Sequence, residues 1–161
     1  MKEEKFEFSY KVYTDITELP EQDQLLLQAA RDVTEQAYAP YSQFQVGAIA
    51  RLVNGEIVAG TNQENASFPI GLCAERVLLA SASSIFPNVP VESIAVSYRG
   101  KGHNNDRPIS PCGICRQALQ EMESRAGKNI QLILGGITGS VYVIGSVGAL
   151  LPLAFSSEEL K

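Results

Sequence analysis

Ser110-Pro111-Cys112-Gly113-Ile114-Cys115-Arg116-Gln117 is the stretch from which the rest of the chain can be read. Pro111 ends a loop dense in turn formers, Arg99 to Ser110, with Gly100, Gly102 and Asn104-Asn105-Asp106. It also opens a helix expected to run to about Arg125, closed by Gly127. Cys112 and Cys115 then lie one turn apart at the helix start, where the helix dipole lowers thiol pKa values and favours the thiolate. A Cys-x-x-Cys pair has two readings, a redox dithiol or two metal ligands, and in a mixed α/β chain both are open.

Working outward, Val91 to Tyr98 reads as a buried strand before this helix. Ile130 to Leu134 and Ser140 to Ile144, separated by Gly135 to Gly139, read as two strands after it. The Gly135 to Gly139 segment is not a phosphate loop, because no lysine follows and it lies between strands. Leu72 to Ile85 is rich in Ala, Leu and Val at helical spacing and stops before Pro87 and Pro90. Val46 to Val53 and Glu56 to Thr61 flank Asn54-Gly55, which predicts two antiparallel strands on a type I′ turn. From about Pro20 to Tyr38 the pattern is helical, with Leu25, Leu26, Ala29, Ala30, Val33 and Ala37 as the apolar stripe, and Pro40 ends it. Residues 1–18 alternate, with Phe6, Phe8, Tyr10 and Val12 apolar, and read as a short edge strand or a loosely docked arm. The sum is about five strands with helices interleaved, a layered α/β or α+β domain over 19–161 preceded by an arm over 1–18.

The 161 residues, 45% apolar and 19% charged, suit one globular domain that needs no disulfide staples, which leaves the three cysteines for other work. Thirteen Lys and Arg against 18 Asp and Glu give a net charge of -5, which excludes a polynucleotide or an anionic membrane as partner but not a single nucleoside in a pocket. No apolar run approaches the roughly 18 residues of a spanning helix. The opening Met1-Lys2-Glu3-Glu4-Lys5 is too polar for a secretory signal, so a cytoplasmic, reducing location is expected.

The third cysteine, Cys73, also falls at a helix start, so three thiols at two helix N-termini make a soft-metal site. A redox dithiol has no use for a third thiol, whereas zinc held by three protein ligands is the catalytic rather than the structural arrangement. His103, the one histidine, lies in the polar loop and reads as solvated rather than as a ligand. Glu75, two residues after Cys73, is alone an ordinary first-turn acid. Beside three cysteines it fits the zinc nucleobase deaminases, which pair a non-ligand Glu with a Pro-Cys-x-x-Cys segment.

At this point the chain resembles the small, homotetrameric, three-cysteine cytidine deaminases. The resemblance rests on five motifs in family order: Ala37 to Ala48 (AYAPYSQFQVGA), Gly60 to Ala66 (GTNQENA), Cys73 to Arg76 (CAER), Ser110 to Gln117 (SPCGICRQ) and Leu150 to Phe155 (LLPLAF). It implies a three-layer sandwich, a five-stranded mixed sheet flanked by helices. It also implies one zinc ion on Cys73, Cys112 and Cys115, with Glu75 as proton shuttle. Further, it implies Asn62 and Glu64 on the ribose hydroxyls, Phe44 on the pyrimidine, Ala74 N–H on the base carbonyl, and Phe155 reaching into a neighbouring subunit's pocket. The activity implied is hydrolytic deamination of cytidine and 2′-deoxycytidine to uridine and deoxyuridine, in pyrimidine salvage. Blasticidin-type deaminases share the zinc motifs, but the Asn62/Glu64 pair and Phe155 favour cytidine. Three thiolates leave Zn²⁺ with a net negative charge, so Arg76 and Arg116, each directly following a motif residue, are expected to donate hydrogen bonds to the sulfurs. The arm, the Arg99 to Ser110 loop and Phe68, where a Tyr is common, depart from the family pattern.

Overall fold

In the computed structural model, which describes residues 1–160, a short strand β1 (Lys11–Tyr13) precedes helix α1 (Glu21–Val33). A hairpin of β2 (Phe44–Leu52) and β3 (Ile57–Thr61) follows, then α2 (Ala74–Ile85), β4 (Val91–Gly100) and α3 (Gly113–Ala126). The chain closes its sheet with β5 (Gln131–Gly135) and β6 (Val141–Ile144). Strand order is β1-β6-β5-β4-β2-β3, with β4 and β5 parallel and the other pairs antiparallel.

The sheet therefore has six strands rather than the five expected. The extra strand is β1, whose Lys11, Val12 and Tyr13 pair with Val143, Tyr142 and Val141 at the sheet edge. Alternation over Phe6 to Val12 suits an edge strand and a loose arm alike, and only three residues pair, with a partner remote in sequence.

Two apolar layers sandwich the sheet. The α1 stripe, Leu26, Leu27, Ala30 and Val33, packs with Ile49, Ala95, Ile133 and Val141 on one face. On the other, Leu78, Leu79 and Ala82 of α2 and Leu119 of α3 pack with Ala48, Ala50, Ile94, Val96, Leu132 and Leu134. Adjacent β4 residues serve opposite faces, as the strand period requires. The expected stripe is corrected at two positions, since Leu25 is exposed and Leu27 fully buried. A pattern of i, i+3 and i+4 spacings leaves the rotation of a helix uncertain by one residue when four apolar residues lie close together.

The hairpin turn is also corrected. Gly55 alone has a positive φ, at 87°, and Asn54 does not share it, so the turn is not type I′. Gly55 N–H donates to Leu52 C=O and Leu52 N–H to Glu56 C=O, both at 2.9 Å, giving a three-residue loop that ends on a left-handed glycine. The α3 terminus forms as the sequence predicts, with Gly127 left-handed at φ 60°.

Gly60 sets how closely α2 approaches the sheet. A side chain there would place its Cβ 2.5 Å from Ala74 C=O, so β3 and the first turn of α2 are in backbone contact. That first turn begins the functional site.

Candidate metal centre and active site

Cys73 and Cys112 are the N-cap residues of α2 and α3, each with extended backbone and neither side chain used to cap its own helix. N-cap positions normally carry Ser, Thr, Asp or Asn, whose oxygen satisfies an orphan N–H. Here the caps are thiols, and both helices present their positive ends to the same spot. Cys115, one turn into α3 and fully buried, supplies the third sulfur. Sγ of Cys73 lies 3.9 Å from Sγ of Cys112, which lies 3.5 Å from Sγ of Cys115, and all three fall within 4.8 Å of one another. None is in a disulfide.

Such close thiols share protons. Hydrogen bonding from Cys115 pulls Cys73 down to about 6, while the same contact and burial push Cys115 far up. An ionised Cys73 beside two further sulfurs attracts a cation. The donor set, three soft sulfurs at two helix N-termini with no fourth side-chain ligand among the described residues, fits Zn²⁺ held in the three-ligand manner of catalytic sites.

Glu75 lies in the first turn of α2, is 6% exposed, and has its carboxyl held above the usual range by burial. It lines the same cavity as the three sulfurs, a cleft of about 600 Å³. The opposite wall comes from the segment before β2 and the end of β3. Tyr38 and Gln63 bridge in parallel, Tyr38 N–H donating to Asn62 C=O and Glu64 N–H to Tyr38 C=O, which lays residues 38–42 against 62–64. Glu64 accepts from the Ser42 hydroxyl, from Tyr41 N–H at 2.9 Å and from Ser42 N–H at 3.3 Å. These bonds, the hydroxyl first, hold its carboxyl below the usual range. Asn62 is fixed by Val46 N–H, 2.7 Å from its Oδ1, and by its own Nδ2 donating to Phe44 C=O at 2.8 Å. Both side chains line the cleft, as does fully buried Ala74, the first residue of α2, whose N–H is one of the donors a helix start leaves unpaired.

Four of the expected residues do not line this chain's own cleft. Phe44 flanks the cleft without lining it, its ring stacked on Tyr98 at 5.0 Å between centroids with the His103 ring edge-on at 5.9 Å. Phe155 is 58% exposed, outside its own chain's cleft, and its C=O accepts from Gln117 Nε2. Arg116 donates to Pro111 C=O at 3.0 Å and Leu150 C=O at 3.2 Å, so its hydrogen bonds go to backbone rather than to sulfur. Arg76 makes no hydrogen bond to a sulfur, though its charge bears on Cys73 and favours the thiolate. The sequence reading missed Tyr41 and Ser42, which brace Glu64, and Ile109 and Ser110, which complete the wall. Tyr41 and Ser42 lie inside a quoted motif, but only their contact with Glu64, past the end of β3, gives them a task.

No lysine, arginine or histidine lines the cleft, which holds two acids, Glu64 and Glu75. No helix among the described residues is long and apolar enough to cross a membrane.

Residues 20–128 match the model of the cytidine and deoxycytidylate deaminase zinc-binding region. A cytidine deaminase of Halalkalibacterium halodurans is 39% identical over 138 residues, 86% of this chain and 97% of its own. One from Sporosarcina psychrophila is 35% identical over 136 residues, 84% and 93% of the two chains. Among solved structures, the cytidine deaminase of Burkholderia pseudomallei superposes with a TM-score of 0.72 at 37% identity, covering 85% of this chain and all of that one. That of Mycobacterium tuberculosis gives 0.63 at 30%, over 81% and 94%.

Proposed function

The chain belongs to the cytidine and deoxycytidylate deaminase family, and from that membership we propose that it hydrolyses cytidine and 2′-deoxycytidine to uridine and deoxyuridine plus ammonia. The observation that carries this reading is a buried carboxyl, Glu75, in one cleft with three convergent cysteine sulfurs. Cys73, Cys112 and Cys115 would hold zinc, which would supply Lewis acidity and make water a competent nucleophile at neutral pH.

The protein groups do the rest. Glu75 takes one proton from the attacking water and gives it to ring N3, which makes C4 electrophilic. A carboxyl raised by burial holds that proton readily. As the C4–O bond forms, Glu75 carries the second water proton to the exocyclic amino nitrogen. The C4–N bond then breaks and ammonia leaves, so both protons of one water are accounted for. Ala74 N–H orients the base through its carbonyl oxygen, and Asn62 and Glu64, already fixed by backbone and Ser42, hold the ribose hydroxyls without reorganising. Arg76 offsets negative charge at Cys73, and Arg116 works at one remove by holding Pro111 beside Cys112.

The assembly we propose is a homotetramer in which Phe155 completes a neighbour's cleft. An exposed phenyl ring on a backbone anchored by Gln117 supports it. Phe44 closes the base end of that shared site. We place the enzyme in pyrimidine salvage in the cytoplasm, as one catalytic domain over 19–161 with an N-terminal arm over 1–18.

The family includes enzymes for nucleosides and for nucleotides, and the charge of this chain's part of the cleft favours the nucleoside. A 5′-phosphate brings about two negative charges to a wall with two carboxyls and no cation. We expect kcat/KM for cytidine to exceed that for 2′-deoxycytidine 5′-monophosphate by at least about a hundredfold, in line with the several kcal/mol that like charges cost. Comparable turnover of the two would contradict the nucleoside assignment.

A further inference from the structure

The N-terminal arm takes no part in the cleft, yet its sequence is strictly two-faced. Phe6, Phe8, Tyr10 and Val12 alternate with Lys5, Glu7, Ser9 and Lys11. β1, the end of this arm, is the edge strand of the sheet, and β6 stops at Ile144, so the arm runs on past its inner partner. Phe6 to Ser9 make no backbone hydrogen bond to the rest of the chain. The segment nevertheless continues the line of the strand. Phe8 stacks on Tyr10 at 5.6 Å, and Tyr10 packs at 4.9 Å on Tyr142, the residue opposite Val12. Phe6, Phe8, Tyr10 and Val12 are between 43% and 58% exposed. An edge strand with one apolar face and free backbone groups is a template for another strand.

Symmetry and charge identify that strand. Two copies pairing edge to edge antiparallel are related by a two-fold axis normal to the sheet. The axis must pass through one residue facing itself, because any other register would set the apolar face of one arm beside the polar face of the other. Centring on Glu7 opposes two carboxylates, and centring on Phe8 opposes Lys5 to Lys11. Centring on Ser9 sets Glu7 opposite Lys11 twice, Phe8 opposite Tyr10 twice and Phe6 opposite Val12 twice. Opposite charges and aromatic pairs directly across an antiparallel ladder are the favourable combinations.

We propose that a second copy of this chain covers the arm, residues 5–13 of the two copies pairing antiparallel about Ser9 so that two six-stranded sheets join through their β1 edges. Glu7 already contacts Lys5 on the exposed face of its own arm, so the joined arms carry a row of charges of both signs on one side and a continuous apolar strip of Phe6, Phe8, Tyr10 and Val12 on the other.

The test uses the full zinc-loaded chain and does not read activity, so it stands or falls apart from the catalytic assignment. Ser9→Cys under mild oxidation should give a disulfide-linked dimer on a denaturing gel, with the peptide containing position 9 linked to itself in the mass spectrum. Lys5→Cys should not, because in this register the two copies of position 5 lie eight residues apart along the ladder, roughly 27 Å. Adding Glu7→Lys to Ser9→Cys should cut the linked yield severalfold, and adding Lys11→Glu to that pair should restore it. A linked yield no higher than that of Lys5→Cys, or one that the charge reversals leave unchanged, would overturn the proposal. The positions are exposed, so folding is not at stake.

Discussion

Glu75 carries the heaviest chemical demand of any residue, since it is asked to move two protons in one turnover. Glu75→Gln keeps the shape and a hydrogen-bonding end but cannot exchange a proton. We expect zinc content and melting temperature to stay near the parent values while kcat falls by about 10²–10⁴-fold. Loss of metal together with activity would move Glu75 to a structural role. Glu64 offers a second, independent check through pH. Its carboxyl is held below the ordinary value of 4.5 chiefly by the Ser42 hydroxyl, so the ionised, braced form persists at and below that value. The sign follows from the depressed pKa: the bracing is complete above the ordinary value and is lost as pH falls through the folded one. On acidification the loss of this bracing should therefore raise KM for cytidine at lower pH in the parent than in Ser42→Ala, which lacks the largest of these bonds. A KM that rises in the parent and in Ser42→Ala at the same pH would remove Ser42 from this role. Both glutamates could be read from the sequence, because they stand at fixed spacing within motifs. Ser42 could not be singled out, because its partner is 22 residues away.

Two helices and one strand set the geometry that those residues need. Both cysteine-bearing helix starts were legible, as Pro111 and the apolar spacing after Leu72 place the termini to within two residues. Less legible were features that depend on what an element meets. The hairpin turn closed through one left-handed glycine rather than two left-handed residues, and Leu27 rather than Leu25 faces the core, because the sheet decides the rotation of α1. The Arg99 to Ser110 loop gave no signal beyond its turn formers. In the structure Asn105 ties it, accepting from Gly100 N–H at 2.8 Å and donating to His103 C=O at 3.0 Å, and its end brings Ile109 and Ser110 to the cleft. Gly60 is where packing at this scale meets function. Gly60→Ala would press a methyl group onto Ala74 C=O, which is backbone and cannot swing away. We expect a loss of about 1–3 kcal/mol in denaturant unfolding, with weaker zinc retention because the start of α2 carries Cys73. Unchanged stability and zinc content would show that α2 has freedom to move off β3.

At the scale of the whole molecule, the sheet core and the site make different demands. The two apolar layers need only shape and burial, and alternation in the sequence shows them well, down to the count of strands but for β1. The site needs three sulfurs from two helices and a wall from a third part of the chain. The helix starts suggested that the sulfurs meet, and the recurrence of five short motifs in order suggested that the wall joins them. Phe155 and Phe44 were read from the same motifs, yet neither lines the cleft of a single chain, and the proposed tetramer would give Phe155 a neighbour's cleft to complete. What the molecule does is tested most directly by ammonia release from cytidine, measured on purified protein before chelation, after chelation and after zinc is added back. The account predicts release that disappears with the metal and returns with zinc at about one ion per chain. Release that persists in fully stripped protein, or none from zinc-loaded protein, would contradict it.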